Sequence, residues 1–130
     1  MDFLRSLALG FLIFVIVFGY TRIIADAHLA EAVHFNGKDA NRSFVAASKA
    51  YIGNPHDKAP MAIIGRSLLV AGKYRIGVEA LERYTKVYPY DLNALINLGV
   101  GYLLIGKDAS SIKDRVRKIS PKYVEQIKLR

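Results

Sequence analysis

The chain has 130 residues, with 19 Lys and Arg against 11 Asp and Glu, a formal net charge of +8 and no cysteine. Without cysteine there are no disulfides, no thiolate chemistry and no Cys-ligated zinc, so a fold of this size must be held by packing alone. The basic balance is open to anionic lipid, nucleic acid or an acidic protein face, because long-range attraction does not distinguish among them.

The first predicted element is the uncharged run Ser6–Thr21, SLALGFLIFVIVFGYT, bracketed by Arg5 and Arg22. Sixteen helical residues rise only about 24 Å, short of a roughly 30 Å hydrocarbon core. Adding Phe3 and Ile23–Ile24 closes the gap, the two arginines can snorkel, and Tyr20 suits the interface. The alternative is a cleaved secretory signal, with Arg5 as basic end, Leu7–Phe18 as apolar core and Ala25-Asp26-Ala27 as cleavage site. Asp2 in the basic end and Arg22 before the cut speak against it, so residues 1–23 are expected to be an uncleaved single-pass anchor. Charge bias across the span is nearly even. The expected orientation, N-terminus inside and domain exported, follows from the short N-terminal tail; a bacterial inner membrane is the expected location.

No Gly or Pro lies between Tyr20 and Gly37, so the anchor helix is expected to run unbroken into the next element. The tetrapeptide GKDA then occurs at Gly37–Ala40 and again at Gly106–Ala109, with GKYR at Gly72–Arg75 between them. Each follows an apolar-periodic stretch, where a helix stop needs a residue tolerant of positive φ and a Lys suits the negative helix end. A phosphate-binding loop would need a preceding Gly at fixed spacing and a following Ser or Thr, and both are lacking. Residues 58–130 show helical spacing and no strand alternation, which predicts an all-α chain.

Superposing Lys58–Asp91 on Leu92–Glu125 at an offset of about 34 residues matches Ile64 with Leu98, Gly65 with Gly99, Leu69 with Leu103 and Gly72 with Gly106. Gly65, Gly77 and Gly99 remove side chains where helices must approach closely, and Leu68, Leu81, Tyr84 and Tyr102 fill the space beside them. With Tyr102 after Leu98-Gly99, and Pro89 closing the middle unit, the chain resembles the tetratricopeptide repeat (TPR) family. That resemblance implies a short TPR-like helical-hairpin solenoid over 24–125, in units 24–57 (degenerate), 58–91 and 92–125. In the last unit Arg115 and Lys118 fall where the pattern wants apolar or small residues, and Ile112, Val116 and Ile119 are expected to form the buried stripe instead. Ser120-Pro121 is expected to open a short basic capping helix over 121–130.

Chemistry is sparse. His28, His34 and His56 do not share the i, i+4 spacing of a zinc helix, and Glu79 and Glu82 have Arg75, Arg83 and Lys86 nearby as ion-pair partners, so neither catalysis, metal nor cofactor is expected. Repeats of this family bind. Mapping its concave face onto this chain implies a largely apolar protein-binding groove of Ala62, Arg66, Leu69, Asn93, Ile96, Val100 and Leu103, which either an amphipathic helix or the chain's own terminal segment (Val124, Ile127, Leu129) would fill. The expected role is a non-catalytic, membrane-anchored adaptor whose partners are other subunits of a membrane complex. The alternative is an electrostatic recruiter that binds anionic lipid or nucleic acid through Lys113, Arg115, Arg117, Lys118 and Lys122. Nucleic acid is the less expected ligand, since Tyr123 is the only aromatic residue among them.

Overall fold

A computed structural model describes the backbone of residues 2–129 and the side chains of residues 3–129. Met1 and Arg130, the outer ends of the predicted anchor and capping segments, lie outside the described residues. The fold is all-α: α1 (Asp2–Phe35), α2 (Ala40–Gly53), α3 (Ala59–Val70), α4 (Tyr74–Val87), α5 (Leu92–Leu104), α6 (Ser110–Ile119) and a 3₁₀ turn at Pro121–Gln126. Each helix packs on the next in chain order.

The glycines explain the punctuation. Gly37, Gly72 and Gly106 have φ of +86°, +76° and +72°, and every other positive φ is absent among the described residues. After α3 the Lys73 amide donates to Leu68 O (2.8 Å) and Gly72 to Leu69 O (3.1 Å); after α5 the Lys107 amide donates to Tyr102 O (2.8 Å) and Gly106 to Leu103 O (3.1 Å). Both turns thereby satisfy helix-end carbonyls with a left-handed residue at the stop. The Asp of GKDA then bonds the start of the following helix, Asp39 as the N-cap of α2 and Asp108 from one residue before the α6 cap Ala109. Asp39 Oδ1 accepts from the Arg42 amide, and Asp108 Oδ1 from the amide and hydroxyl of Ser110. GKYR has no Asp, and α4 begins with no side-chain cap.

α1 continues without a break across the expected anchor boundary at residues 23 and 24. Its stretch Phe3–Phe35 is long and apolar enough to cross a membrane, and none of its most apolar window is buried by the rest of the chain. α2 packs antiparallel on the C-terminal half of α1 through small residues, with Ala25, Ala32, Ala46, Ala47 and Ala50 buried and the Ser43 hydroxyl donating to Ala32 O (2.9 Å). A side chain at Gly53 would meet Ala25 Cβ at 3.0 Å.

The larger core lies between α3 and the C-terminal turn. Gly65 and Gly77 face each other so closely that a Cβ on either would approach the other's carbonyl oxygen to 3.0 and 2.9 Å. Leu69 and Leu81 fill the space beside them, and Leu95, Leu98 and Val116 are fully buried in the same core. The close approach expected at Gly99 is present, but its partner is Ile127, which lies 2.7 Å from a Cβ placed there, rather than a neighbouring helix of the array. Two expectations for the C-terminus change. Ile112 and Val116 are buried, whereas Ile119 is 38% exposed because α6 ends there and the chain turns away. The expected capping helix is a single 3₁₀ run that stops at Gln126, and Ser120 makes no side-chain cap.

Candidate functional site

α1, α3 and α5 each contribute one face to a cavity of about 460 Å³. Val33 comes from the end of α1 and Asn36 from the turn after it, Ala62, Ile63 and Arg66 from α3, and Asn93, Ile96 and Asn97 from α5. Gln126, arriving from the C-terminal turn, closes one side. A second, larger cavity of about 880 Å³ continues past Ile96 and Val100 to Leu104, with Glu125, Lys128 and Leu129 on the far wall.

Ala62, Arg66, Asn93 and Ile96 therefore line the first cavity, and Val100 lines the second. Leu69 does not. It is 8% exposed and packs inside the array, where the missing side chains of Gly77 and Gly101 leave it room: a Cβ at Gly77 would meet its Cδ2 at 3.0 Å, one at Gly101 at 3.3 Å. Leu103 also turns to the core cluster and lines neither cavity. The wall is not mainly apolar either, because Asn36, Asn93, Asn97 and Gln126 supply four carboxamides. Asn93 and Asn97 stand at i, i+4, a spacing visible in the sequence. Asn36 and Gln126 have no such local signal.

Arg66 is the centre of this surface. It borders both cavities, and its Nη1 donates to Asn36 Oδ1 at 2.8 Å. Among the described residues no acidic side chain forms an ion pair with it. The carboxylate of Asp91, also on the cavity wall, is committed elsewhere: Oδ2 accepts from the Tyr84 hydroxyl (2.7 Å) and Oδ1 from the Ala94 amide that starts α5 (3.0 Å). Burial, and then the bond to Asp91, push the Tyr84 phenol far above its ordinary range, so Tyr84 is a neutral donor. The result is a groove with spare donors and apolar patches.

The C-terminal turn does part of what a self-filling segment would do. Ile127 is buried on Gly99, while Leu129 is 56% exposed beside the larger cavity, so the segment forms a wall and leaves the groove open.

The carboxylates and histidines singled out in the sequence line neither cavity. Glu79 pairs with Arg83. Glu82 bonds across to the next hairpin, accepting from the Tyr102 hydroxyl (2.7 Å) and Lys107 Nζ (3.0 Å), rather than from Arg75 or Lys86. The Tyr102 bond chiefly, with help from Lys107 and against some burial, holds its carboxyl below the ordinary value. His28 lies 3.9 Å from Glu31, His34 stacks edge-on against Phe35, and His56 sits in the turn after α2. No three potential metal ligands come together among the described residues.

The basic positions divide. Arg115 donates to Pro89 O (3.1 Å), Arg117 pairs with Asp114, and Lys113 is half-buried. Lys118 and Lys122 are exposed. No family model matches this chain, and no curated protein matches it.

Proposed function

We propose that this chain is a non-catalytic adaptor, a TPR-like solenoid held by α1 in a membrane, that docks a segment of another membrane-complex subunit in the groove between α1, α3 and α5. The location we propose is the bacterial inner membrane with the domain exported, since folded domains translocate largely regardless of their charge. The observation that carries the proposal is the open groove itself, with Arg66 unpaired at its centre and carboxamides around it. Carboxamides bond the backbone and polar side chains of a peptide, while Ile96, Val100 and Leu104 offer apolar contact for an amphipathic helix. Val33 lies 13 residues beyond Tyr20 along α1, so the end of the groove that it lines stands on the order of 20 Å above the membrane interface.

As the chain's principal role the electrostatic reading through all five cations is the weaker one, because two of them, Arg115 and Arg117, are engaged within the chain, which leaves Lys118 and Lys122 exposed. Copurification of the intact chain from native membranes in a gentle detergent tests the choice. Arg66→Glu with Ile96→Asp should remove the partner while the chain stays folded and helical, at some cost in melting because Ile96 packs partly on the core and Arg66 bonds Asn36. Arg117→Glu with Lys118→Glu should leave the partner bound. If the second pair releases the partner and the first does not, the groove is the wrong surface.

A further inference from the structure

The two long edges of the helical array are not equivalent with respect to α1. Strict alternation of direction puts the ends of α2, α4 and α6 on one edge, together with the starts of α3 and α5. It is the edge from which the apolar half of α1 departs: a Cβ placed on Gly53, at the end of α2, would meet Ala25 Cβ at 3.0 Å and Thr21 O at 3.7 Å. Thr21 closes the uncharged run. Ile52, one residue before Gly53, therefore sits within about 6 Å of the level at which α1 leaves the hydrocarbon, inside the headgroup layer.

We propose that this edge, formed by the α2–α3 turn, the α4–α5 turn and the end of α6, is a second membrane-contact surface that lies on anionic lipid headgroups. The proposal rests on the reading of α1 as a membrane span. The linkage is stiff. α1 is one unbroken helix, its C-terminal half is packed on α2, and Ile63 of α3 inserts into the alanines of that seam. Arg66–Asn36 ties the second hairpin to the first, and Arg115–Pro89 ties α6 to the α4–α5 turn. Fixing α1 across a bilayer therefore fixes the height of all three turns.

Their chemistry suits an interface. Ile52 is 77% exposed and Tyr90 80%, with Tyr88 and Ile119 also open to solvent. Tyrosines with apolar neighbours are favoured at the headgroup level. Lys86, Lys118 and Lys122 are exposed on the same edge, while its acidic groups Asp57 and Asp91 are already bonded to helix-start amides. Clustered lysines close to the surface are attracted to anionic lipid. Apolar side chains are exposed at the opposite edge too, Val70 and Ile76 among them. Exposure alone does not select a face; the rigid connection to the span does.

The absence of cysteine makes the test direct. Single variants Ile13→Cys, Ile52→Cys, Lys73→Cys and Tyr90→Cys of the full chain are labelled with an environment-sensitive fluorophore. They are reconstituted in vesicles of phosphatidylcholine and phosphatidylglycerol that carry quenchers at the headgroup or deep in the acyl chains. Label 13 should be quenched from the deep position, labels 52 and 90 from the headgroup position, and label 73 from neither. If 13 is quenched but 90 is no more quenched than 73, the span stands and this surface is refuted. If 13 is not quenched, both are refuted. Pure phosphatidylcholine, or Lys118→Glu with Lys122→Glu, should reduce quenching at 90 and leave 13 unchanged. An unchanged signal at 90 would refute the anionic headgroup as the occupant.

Discussion

The α1–α2 seam and the α3–α4 seam are both close helix pairs, yet they reach closeness differently. Between α1 and α2 the contact is alanine on alanine along the seam, with one buried hydroxyl and no large side chain fully buried. Between α3 and α4 two glycines touch at Gly65 and Gly77, and the room they leave is filled by Leu69 and Leu81. Small residues let backbones approach but remove little apolar area from water, whereas a buried leucine removes a great deal. The first pair is thus a mount for the long helix, and the second anchors the fold. A mount that need only hold direction can be thin, provided that α1 is stiff.

The largest effect should come from removing the filler on the deep side. Leu81→Ala leaves a cavity among well-packed neighbours and should cost about 2–5 kcal/mol in chemical denaturation. Ala47→Gly in the other seam should cost only about 1 kcal/mol, mostly helix propensity. Equal losses would show that the two seams carry equal weight. Next in size is Gly77→Ala. Its new methyl would meet Gly65 O at 2.9 Å and the Leu69 amide nitrogen at 3.1 Å, backbone atoms that cannot rotate away. Overpacking of about 1–3 kcal/mol should outweigh the roughly 1 kcal/mol that alanine gains in a helix. Gly99→Leu should act differently, since its obstacle is Ile127 on the terminal turn. Loss of protection confined to residues 121–129 in hydrogen exchange is the expected result; a global loss would mean that the turn is integral to the core.

How far this arrangement is legible in the sequence depends on whether a residue's role is local. The stops at Gly37, Gly72 and Gly106 are local, because a left-handed residue followed by Lys after an apolar run has few other uses, and all three are where the repeat places them. The unbroken α1 is likewise implied by the lack of Gly and Pro after Tyr20. Groove membership is not local. Leu69 and Leu103 sit at helical spacing from Arg66 and Ile96, but a shift of a few tens of degrees separates a core position from a wall, and Gly77 and Gly101 draw Leu69 inward. Gln126 reaches the groove only because Ile127 finds Gly99, a pairing between residues 28 apart that no periodicity announces.

A smaller effect tests the polar content of the mount. Ser43 is fully buried and its hydroxyl donates to Ala32 O across the seam. Ser43→Ala should cost about 1 kcal/mol, and the loss should appear as faster amide exchange in α2 with α4 and α5 unaffected. Spread of the change into α4 would mean that the two seams unfold as one unit, and the contrast between them would then describe geometry only.

The smallest effect concerns pH and belongs to the deep side. Glu82 links α4 to Tyr102 and Lys107 of the next hairpin, and its carboxyl is held below the ordinary 4.5. A depressed folded value contributes stability that is present above the unfolded value and is lost as pH falls through the folded one. Lys107 is raised above its ordinary 10.5, first by the same carboxylate, so its share is present below that value and is lost only in strong alkali. Acid below about pH 4.5 should therefore loosen α4 against α5 through Glu82 alone, with Lys107 still charged. The slope will be shallow, because the side chain keeps 34% of its surface in water and solvent screens the pair. Glu82→Gln keeps an acceptor for Tyr102 but removes the titration. Denaturant midpoints of the full chain in mild detergent, measured at neutral pH and at about pH 3.5, should converge between parent and variant as acid is added. If the two lines stay parallel, Glu82 does not gate the seam, and the acid sensitivity of the deep core has another source.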